Sequence, residues 1–199
     1  PFAPAPTAGD APLMLSVSGA RGIVGATMTP AIAADFAAAF GTIVRERAAA
    51  DASADPAAGP PLVVLGRDSR PSGAMLADAV RAGLLSVGCR VLDLGIVATP
   101  TAGIMVVQRR AAAGMVVTAS HNPAPWNGLK CLDSRGVAPS RADAEALIAA
   151  FHARRIGYAA VGSIPAAEHD DSGHRVHVDR VVPLVDVAAI RAAGFTVVL

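Results

Sequence analysis

The 199-residue sequence has two cysteines, one lysine and no long apolar run, and each scarcity narrows what the protein can be. No apolar run approaches the roughly 18 residues that a membrane-spanning helix needs, so we expect no membrane partner. Cys89 and Cys131 are too few and too far apart for a zinc site, and they suit free thiols in a reducing cytoplasm. The net charge is +1 with both signs scattered, which argues against a nucleic-acid partner.

The two ends of the sequence also lack features that a complete chain would have. Residues 1–12 are rich in proline and alanine, with neither the basic nor the apolar region of a signal peptide, so we expect a disordered tail. There is no initiator methionine at Pro1, and the sequence stops at Leu199 inside an apolar run. We therefore expect a fragment of a longer protein.

What the sequence does contain is an alternation of short apolar runs with helical patterns, which predicts a layered α/β domain over residues 13–155. Thr29-Pro30 is typical of a helix start, and Thr99 is predicted to cap a helix that begins at the next residue. The predicted strands are 13–17, 62–65, 91–94, 115–117 and 129–132, and the predicted helices are 30–49, 72–87, 100–110 and 141–155.

The last part of the sequence is predicted to leave this domain. Residues 156–173 have no clear pattern and are interpreted as a linker. A helix is predicted at 174–184, and a second helix, capped by Asp186, ends near Gly194. An apolar run at 195–199 is predicted to be a buried strand, so residues 174–199 would begin a second domain.

Residues 114–133, which read GMVVTASHNPAPWNGLKCLD, concentrate the chemistry of the sequence. The predicted strand at 115–117 leads into small polar residues, and open α/β sheets bind ligands at the carboxyl ends of their strands. The strand that follows carries Lys130, the only lysine among 17 basic residues. Because lysine, unlike arginine, can give up its proton, its place close to Ser120 favours a role in proton transfer.

Two arginine-containing turns precede this stretch. Arg21 lies in a glycine-rich segment, residues 18–25, which is predicted to be a flexible loop that favours anions. Arg67 and Arg70 flank Asp68 directly after a predicted strand, and either guanidinium could reach a phosphate. The alternatives are a surface arginine in a glycine-rich turn and an arginine–aspartate pair that stabilises a turn.

The run Thr118-Ala119-Ser120-His121-Asn122-Pro123, followed by Asn127-Gly128-Leu129-Lys130, resembles the phosphoserine loop of the α-D-phosphohexomutases. This family includes phosphoglucomutase, phosphomannomutase and phosphoglucosamine mutase. The resemblance implies a three-layer α/β/α domain 1 with a mixed sheet over residues 13–155, followed by the truncated start of a second, similar domain. It also implies a cytoplasmic enzyme that interconverts hexose 1-phosphates and 6-phosphates through a phosphoserine and a bisphosphate intermediate. A fragment of this kind is expected to be inactive alone.

The same resemblance assigns roles to single residues. Ser120 would carry the phosphoryl group, Lys130 would exchange a proton with the sugar hydroxyl, and Arg21 would stabilise the charge of the transferring group. Three further residues would bind the phosphate or the sugar: His121, Asn122 and Arg67. The implied cofactors are the phosphorylated serine and Mg²⁺, which the Ser120 phosphate would hold together with aspartates that this sequence does not contain.

Two other functions remain open at this point. One is a sugar-phosphate-binding domain that has the loop without turnover. The other is a serine hydrolase with His121 as the general base for Ser120. Adjacent residues at the end of a strand point to opposite sides, so we expect no direct contact between these two side chains. Ser120 also lacks the flanking glycines of a nucleophile elbow, which disfavours the hydrolase.

Overall fold

The computed structural model describes residues 12–50 and 59–198. The predicted tail, apart from its last residue, and most of the polar loop before the second predicted strand lie outside these ranges. No helix within them is both long and apolar enough to cross a membrane.

A seven-stranded sheet with the strand order β1-β2-β6-β5-β3-β4-β7 forms the centre of the fold. Strands β5, β3, β4 and β7 run parallel to one another, whereas the pairs β1–β2, β2–β6 and β6–β5 are antiparallel. The mixed sheet expected from the sequence is therefore confirmed. The strands are β1 (Met14–Ser16), β2 (Gly19–Ile23), β3 (Leu62–Arg67), β4 (Arg90–Ile96), β5 (Ala113–Val117), β6 (Trp126–Leu132) and β7 (Ala167–His169).

Helices cover both faces of the sheet, because successive residues of a strand point to opposite sides. Val63 and Leu65 belong to one core cluster and Val64 to the other. The first cluster holds α1 (Pro30–Ala50), α2 (Gly73–Ser86) and α4 (Arg141–His152), and the second holds α3 (Thr99–Gln108) with α5 (Gly173–Val181) beside it. A short α6 (Val187–Ala193) follows. The three-layer α/β/α architecture is confirmed.

Side chains cap the starts of α1, α4 and α6, whereas α2, α3 and α5 begin without a side-chain cap. Thr29 Oγ1 accepts a hydrogen bond from the Ile32 amide at 3.2 Å, and Ser140 Oγ accepts one from the Asp143 amide at 3.2 Å. Thr99 does not cap α3, because Ala98 occupies the N-cap position and Thr99 lies in the first turn. The Thr99 hydroxyl is therefore not used to cap the helix.

Strand β2 corrects the prediction of a flexible loop at residues 18–25. Gly19 has a φ of 113°, and a Cβ at this position would lie 1.9 Å from the carbonyl oxygen of Leu129. The absence of a side chain therefore permits the backbone of β2 to approach β6 closely. The glycine signals close strand packing here rather than flexibility.

Strand β7 lies within residues 156–173, which are interpreted from the sequence as a linker, and it joins this segment to the sheet. Its three exposed residues pair with the edge of β4, and the ion pair between Arg90 and Glu168 spans the two strands at 2.6 Å. An exposed edge strand carries no apolar pattern, so its sequence resembles a loop. The division between a first domain at 13–155 and a second from 174 stays a prediction.

The C-terminal part departs further from expectation. Helix α5 packs against α3, where Thr101 Oγ1 and His177 Nδ1 are 2.8 Å apart. The strand predicted at 195–199 does not form over 195–198, where the side chain of Phe195 is exposed, and residue 199 lies outside the described ranges. An apolar run forms a strand only when a neighbouring strand is available, and none pairs with it within the described residues.

Candidate active site

A small cavity opens where β2, β6 and the loop after β5 meet. Its volume is about 60 Å³. Three predicted catalytic residues, Ser120, Lys130 and Arg21, line it together. The remaining lining residues are Ser18, Ala20, Thr99, Thr118 and Leu129. The structure thus brings together side chains that the sequence separates by about a hundred positions.

The register of β2 against β6 places the two cationic side chains. Gly19 lies opposite Lys130, and Arg21 lies opposite Gly128. A Cβ at Gly128 would lie 2.5 Å from the Ala20 carbonyl oxygen and 2.9 Å from Cγ of Arg21. Both strand positions therefore require glycine, and the close approach sets Arg21 directly over β6.

Ser120 is exposed and adopts a left-handed backbone conformation with a φ of 56°. Its amide donates a hydrogen bond to Thr118 Oγ1 at 3.1 Å, and the Asn122 amide donates one to the Ala119 carbonyl at 3.1 Å. A residue with a Cβ rarely adopts this conformation, and such residues concentrate at functional sites. The conformation turns the chain sharply after β5 and leaves the Ser120 hydroxyl on the rim of the cavity.

The expectation that Ser120 and His121 point apart is wrong. Ser120 Oγ and His121 Nδ1 are 3.3 Å apart. Strand alternation applies to extended backbone, and Ser120 is left-handed rather than extended. Within the part of the chain that the structure describes, no carboxylate contacts His121, so a Ser–His–acid triad lacks its third member.

Three predicted binding residues, His121, Asn122 and Arg67, do not line the cavity. His121 contacts the Ser120 hydroxyl instead, and Arg67 donates to the carbonyl of Asp68 at 3.3 Å. The Asn122 side chain has a buried Oδ1 without a hydrogen-bond partner among the described residues. The cavity therefore depends on Arg21 and Lys130 for its positive charge.

Sequence reasoning missed the hydroxyl groups that surround the cavity. Ser18 lies between β1 and β2, Thr118 directly follows β5, and Thr99 follows β4 at the start of α3. The signal was present for Thr99, since ligand-binding residues commonly follow the carboxyl ends of parallel strands. Because Thr99 is interpreted from the sequence as a helix cap, it is not interpreted as a ligand-binding residue.

Cys131 follows Lys130 in β6 but does not offer a competing nucleophile. It is buried, and burial raises the pKa of its thiol to about 12. Burial also raises the pKa of Cys89 to about 12, with Arg45 acting in the opposite direction. Because the thiolate is the reactive form, both cysteines are inert near neutral pH, and the exposed oxygen of Ser120 is the accessible nucleophile.

The described residues do not by themselves fit a divalent cation. Among them, no group of three or more histidines, cysteines and carboxylates is arranged to hold a metal ion. The cavity lining supplies hydroxyls and two cations, and none of its described residues is a carboxylate. Mg²⁺ prefers several hard oxygen ligands, of which Ser120 is one candidate.

Comparison with known proteins agrees with this geometry. Residues 13–156 match the family model described as phosphoglucomutase/phosphomannomutase, alpha/beta/alpha domain I. The phosphoglucomutase/phosphomannomutase of Thermococcus kodakarensis is 44% identical over 123 residues, which are 60% of this chain and 24% of that protein. The phosphoglucosamine/phosphogalactosamine mutase of Sulfurisphaera tokodaii is 29% identical over 187 residues, which are 94% of this chain and 38% of that protein.

A solved structure gives the same result for the fold. The phosphoglucomutase/phosphomannomutase family protein from Burkholderia thailandensis superposes with a TM-score of 0.68 at 29% identity, covering 85% of this chain and 36% of that one. The chain thus spans between about a quarter and two-fifths of the length of these relatives. Because the family model covers most of the sequence, the chain belongs to the phosphoglucomutase/phosphomannomutase family and carries its alpha/beta/alpha domain I.

Proposed function

We propose that this chain is the phosphate-accepting part of a phosphohexomutase, which interconverts hexose 1-phosphates and 6-phosphates through a phosphoserine and a bisphosphate intermediate. The observation that carries the proposal is the exposed, left-handed Ser120 on the rim of a cavity lined by Arg21 and Lys130. A phosphoryl group on Ser120 would lie beside the Arg21 guanidinium, which can balance its charge, and beside Lys130, whose amine can take up a proton.

In the first step of this proposal, the hexose monophosphate binds with a free hydroxyl facing phosphorylated Ser120. The sugar oxygen forms a bond to phosphorus while the bond between phosphorus and Ser120 Oγ breaks. The sugar hydroxyl loses its proton to Lys130, acting as a general base, and Arg21 balances the negative charge on the transferring group. Ser120 Oγ takes up a proton from water as it leaves, so the products are a hexose bisphosphate and an unmodified serine.

The second step reverses these roles after the bisphosphate turns over in the site. Ser120 Oγ attacks the other phosphorus atom and releases its own proton to water, the sugar oxygen leaves, and Lys130 returns its proton to that oxygen. His121 is suited to orient the serine hydroxyl, because its Nδ1 is 3.3 Å from Ser120 Oγ. Arg67 and Asn122 lie outside the cavity lining, and a part in sugar binding for either would need a ligand larger than the cavity.

The complete activity would belong to a longer chain, because the relatives are between about 2.5 and four times the length that matches. Residues outside this chain would hold much of the sugar and supply most ligands for Mg²⁺, whose chemistry is to neutralise charge on the transferring phosphoryl group. Ser120, through its phosphate, would contribute one ligand oxygen. We therefore expect the 199-residue chain alone to be inactive as a mutase.

Intact-mass measurement tests the proposal. The full-length protein that contains this sequence should gain one phosphoryl group when it is incubated with a hexose 1,6-bisphosphate. Peptide mapping should place this group on Ser120. Binding of the bisphosphate without a mass change would instead identify a non-catalytic sugar-phosphate-binding domain. Hydrolysis of carboxylic esters that requires Ser120 and His121, with no phosphorylation, would identify a hydrolase.

A further inference from the structure

The side chain of Arg70 is directed at the backbone of the loop that contains Ser120. Its Nη2 donates to the carbonyl oxygens of Ser120 at 3.0 Å and Asn122 at 2.6 Å. Its Nη1 donates to those of Pro123 at 3.0 Å and Trp126 at 3.2 Å. One guanidinium therefore joins four carbonyl groups within a stretch of seven residues, here called the serine loop (residues 120–126).

The carboxylate of Asp68 completes this arrangement. Its Oδ2 lies 3.3 Å from Nε of Arg70 and accepts a hydrogen bond from Thr118 Oγ1 at 2.7 Å. Thr118 Oγ1 in turn accepts the amide hydrogen of Ser120. A guanidinium has five N–H donors; the four carbonyls take up those of Nη1 and Nη2, and Nε lies against Asp68 in an ion pair. The suggestion that Arg70 binds phosphate stays a prediction.

The serine loop needs support of this kind. The left-handed conformation of Ser120 is unfavourable for a residue with a Cβ and persists only where surrounding contacts enforce it. No glycine occurs between Ala119 and Trp126 to relieve the backbone. The Arg70 side chain is only 16% exposed, and its hydrogen bonds to Asn122 and Trp126 are partly buried, whereas those to Ser120 and Pro123 are exposed.

We propose that Arg70 is a positioning residue, which holds the serine loop in the strained conformation that presents the Ser120 hydroxyl to the cavity. The inference rests on the proposed function for its catalytic consequence, although the geometric role stands on the contacts alone. Lysine cannot replace arginine here, because its ammonium has three donors around one nitrogen instead of a planar fork that spans four carbonyls.

The first experiment measures the loop directly by amide hydrogen exchange in the longest natural chain that contains this sequence. The reporting amides are those of Asn122 and Trp126, which donate to carbonyls within or next to the serine loop. In Arg70→Lys and Arg70→Ala they should exchange at least about tenfold faster than in wild type, since the loop opens locally. Amides of β5 and β6 should be unchanged, which shows that the domain is still folded.

Arg45→Lys is the matched control. Arg45 also donates to backbone carbonyls, those of Val87 at 2.5 Å and Gly157 at 3.2 Å, but it lies away from the cavity. Exchange in the serine loop should be the same in this variant as in wild type. Arg70→Lys keeps the positive charge, so it provides the test even if Arg70→Ala does not fold.

The second experiment measures how fast Ser120 takes a phosphoryl group from a hexose 1,6-bisphosphate. Both Arg70 variants should lose about 100-fold in the maximal rate, because a misplaced nucleophile loses the benefit of orientation. The bisphosphate concentration that gives half the maximal rate should change by less than about threefold. Loss of folded protein alone would lower the yield of phosphoprotein without lowering its rate constant.

The possible results separate the two proposals. Serine-loop exchange in Arg70→Lys equal to wild type would overturn the positioning role, as would faster exchange with an unaltered rate of phosphorylation. A wild-type protein that takes no phosphate onto Ser120 would refute the proposed function instead, while the exchange measurement would still decide whether Arg70 holds the loop.

Discussion

The two halves of the sheet contribute to the cavity in different ways. In the parallel half, residues of the candidate site and its supports follow the strands: Ser120 after β5, Asp68 after β3 and Thr99 after β4. In the antiparallel half, Arg21 and Lys130 lie inside β2 and β6. The parallel half therefore supplies hydroxyls and the supports of the serine loop, and the antiparallel half supplies the charge. The rule that ligands bind at the carboxyl ends of parallel strands identifies the residues of the parallel half, but it does not identify Arg21 and Lys130.

The largest effect should follow from removing the phosphate acceptor. Ser120→Ala in the full-length protein should abolish both phosphorylation and mutase turnover, because the substitution removes the oxygen that accepts the phosphoryl group. The fold should be retained, since the side chain is exposed and leaves no cavity. Circular dichroism and a mutase assay with added bisphosphate measure the two results.

Ser134→Ala provides a control at an exposed serine outside the cavity lining, and it should behave as wild type. Activity of Ser120→Ala close to that of wild type would move the acceptor role to another residue. The parallel half of the sheet would then have no catalytic contribution beyond binding.

The next largest effect tests the antiparallel half. If Lys130 transfers a proton, Lys130→Arg should lower turnover by about 10²–10⁴-fold, because arginine keeps its proton near neutral pH. The loss should be nearly as large as in Lys130→Met, with much smaller changes in KM. Steady-state kinetics of both variants checks this. An arginine variant that keeps most of the rate while the methionine variant does not would make Lys130 an electrostatic residue.

A smaller effect is expected from the spacing between β2 and β6. Gly128→Ala should lower the free energy of unfolding by about 1–3 kcal/mol, because its Cβ would contact the backbone of Ala20 and the side chain of Arg21. Urea denaturation of the two proteins measures the difference. Gly162→Ala, where a Cβ meets no atom within 4 Å, should change the free energy by less than about 0.5 kcal/mol.

If both glycine substitutions change the free energy of unfolding by the same amount, β2 and β6 can move apart without a loss of stability. The register that places Arg21 opposite Gly128 would then not be what fixes the charged side of the cavity. A selective loss at Gly128 would strengthen the contrast between the halves, because no comparable glycine is needed after β5.

The difference between the two halves of the sheet also explains which parts of the fold can be predicted from the sequence. The helices, the five apolar strands and the central motif with Ser120 and Lys130 can be predicted, because each depends on local periodicity and on turn residues. Strand β7 has an exposed, unpatterned sequence and pairs only because the edge of β4 is near. Strand β2 is concealed by the glycines that allow its pairing.

The part of the site that escapes prediction depends on contacts distant in sequence. Arg70 binds carbonyls that lie 50 to 56 positions away, and a carbonyl acceptor has no signature in the sequence because every residue has one. The contact of Ser120 with His121 escapes for a different reason. It depends on a left-handed backbone at a residue type that rarely adopts it.

The smallest effect on phosphoryl transfer should come from Cys131, which follows Lys130 in β6. Cys131 is buried in β6, and burial raises the pKa of its thiol from 9.0 to about 12. At pH 8 a thiol-specific reagent should therefore leave the folded protein unlabelled at Cys131 and should not change its turnover. Because the pKa is higher in the folded state, the protonated thiol favours folding below pH 9, and this contribution is lost as the pH rises toward 12. Labelling at pH 8 should then begin only when urea unfolds the chain, with the same midpoint as the circular dichroism signal. Rapid labelling of the folded protein at Cys131, with loss of activity, would show that β6 opens at Lys130, and the antiparallel half would be the mobile side of the cavity.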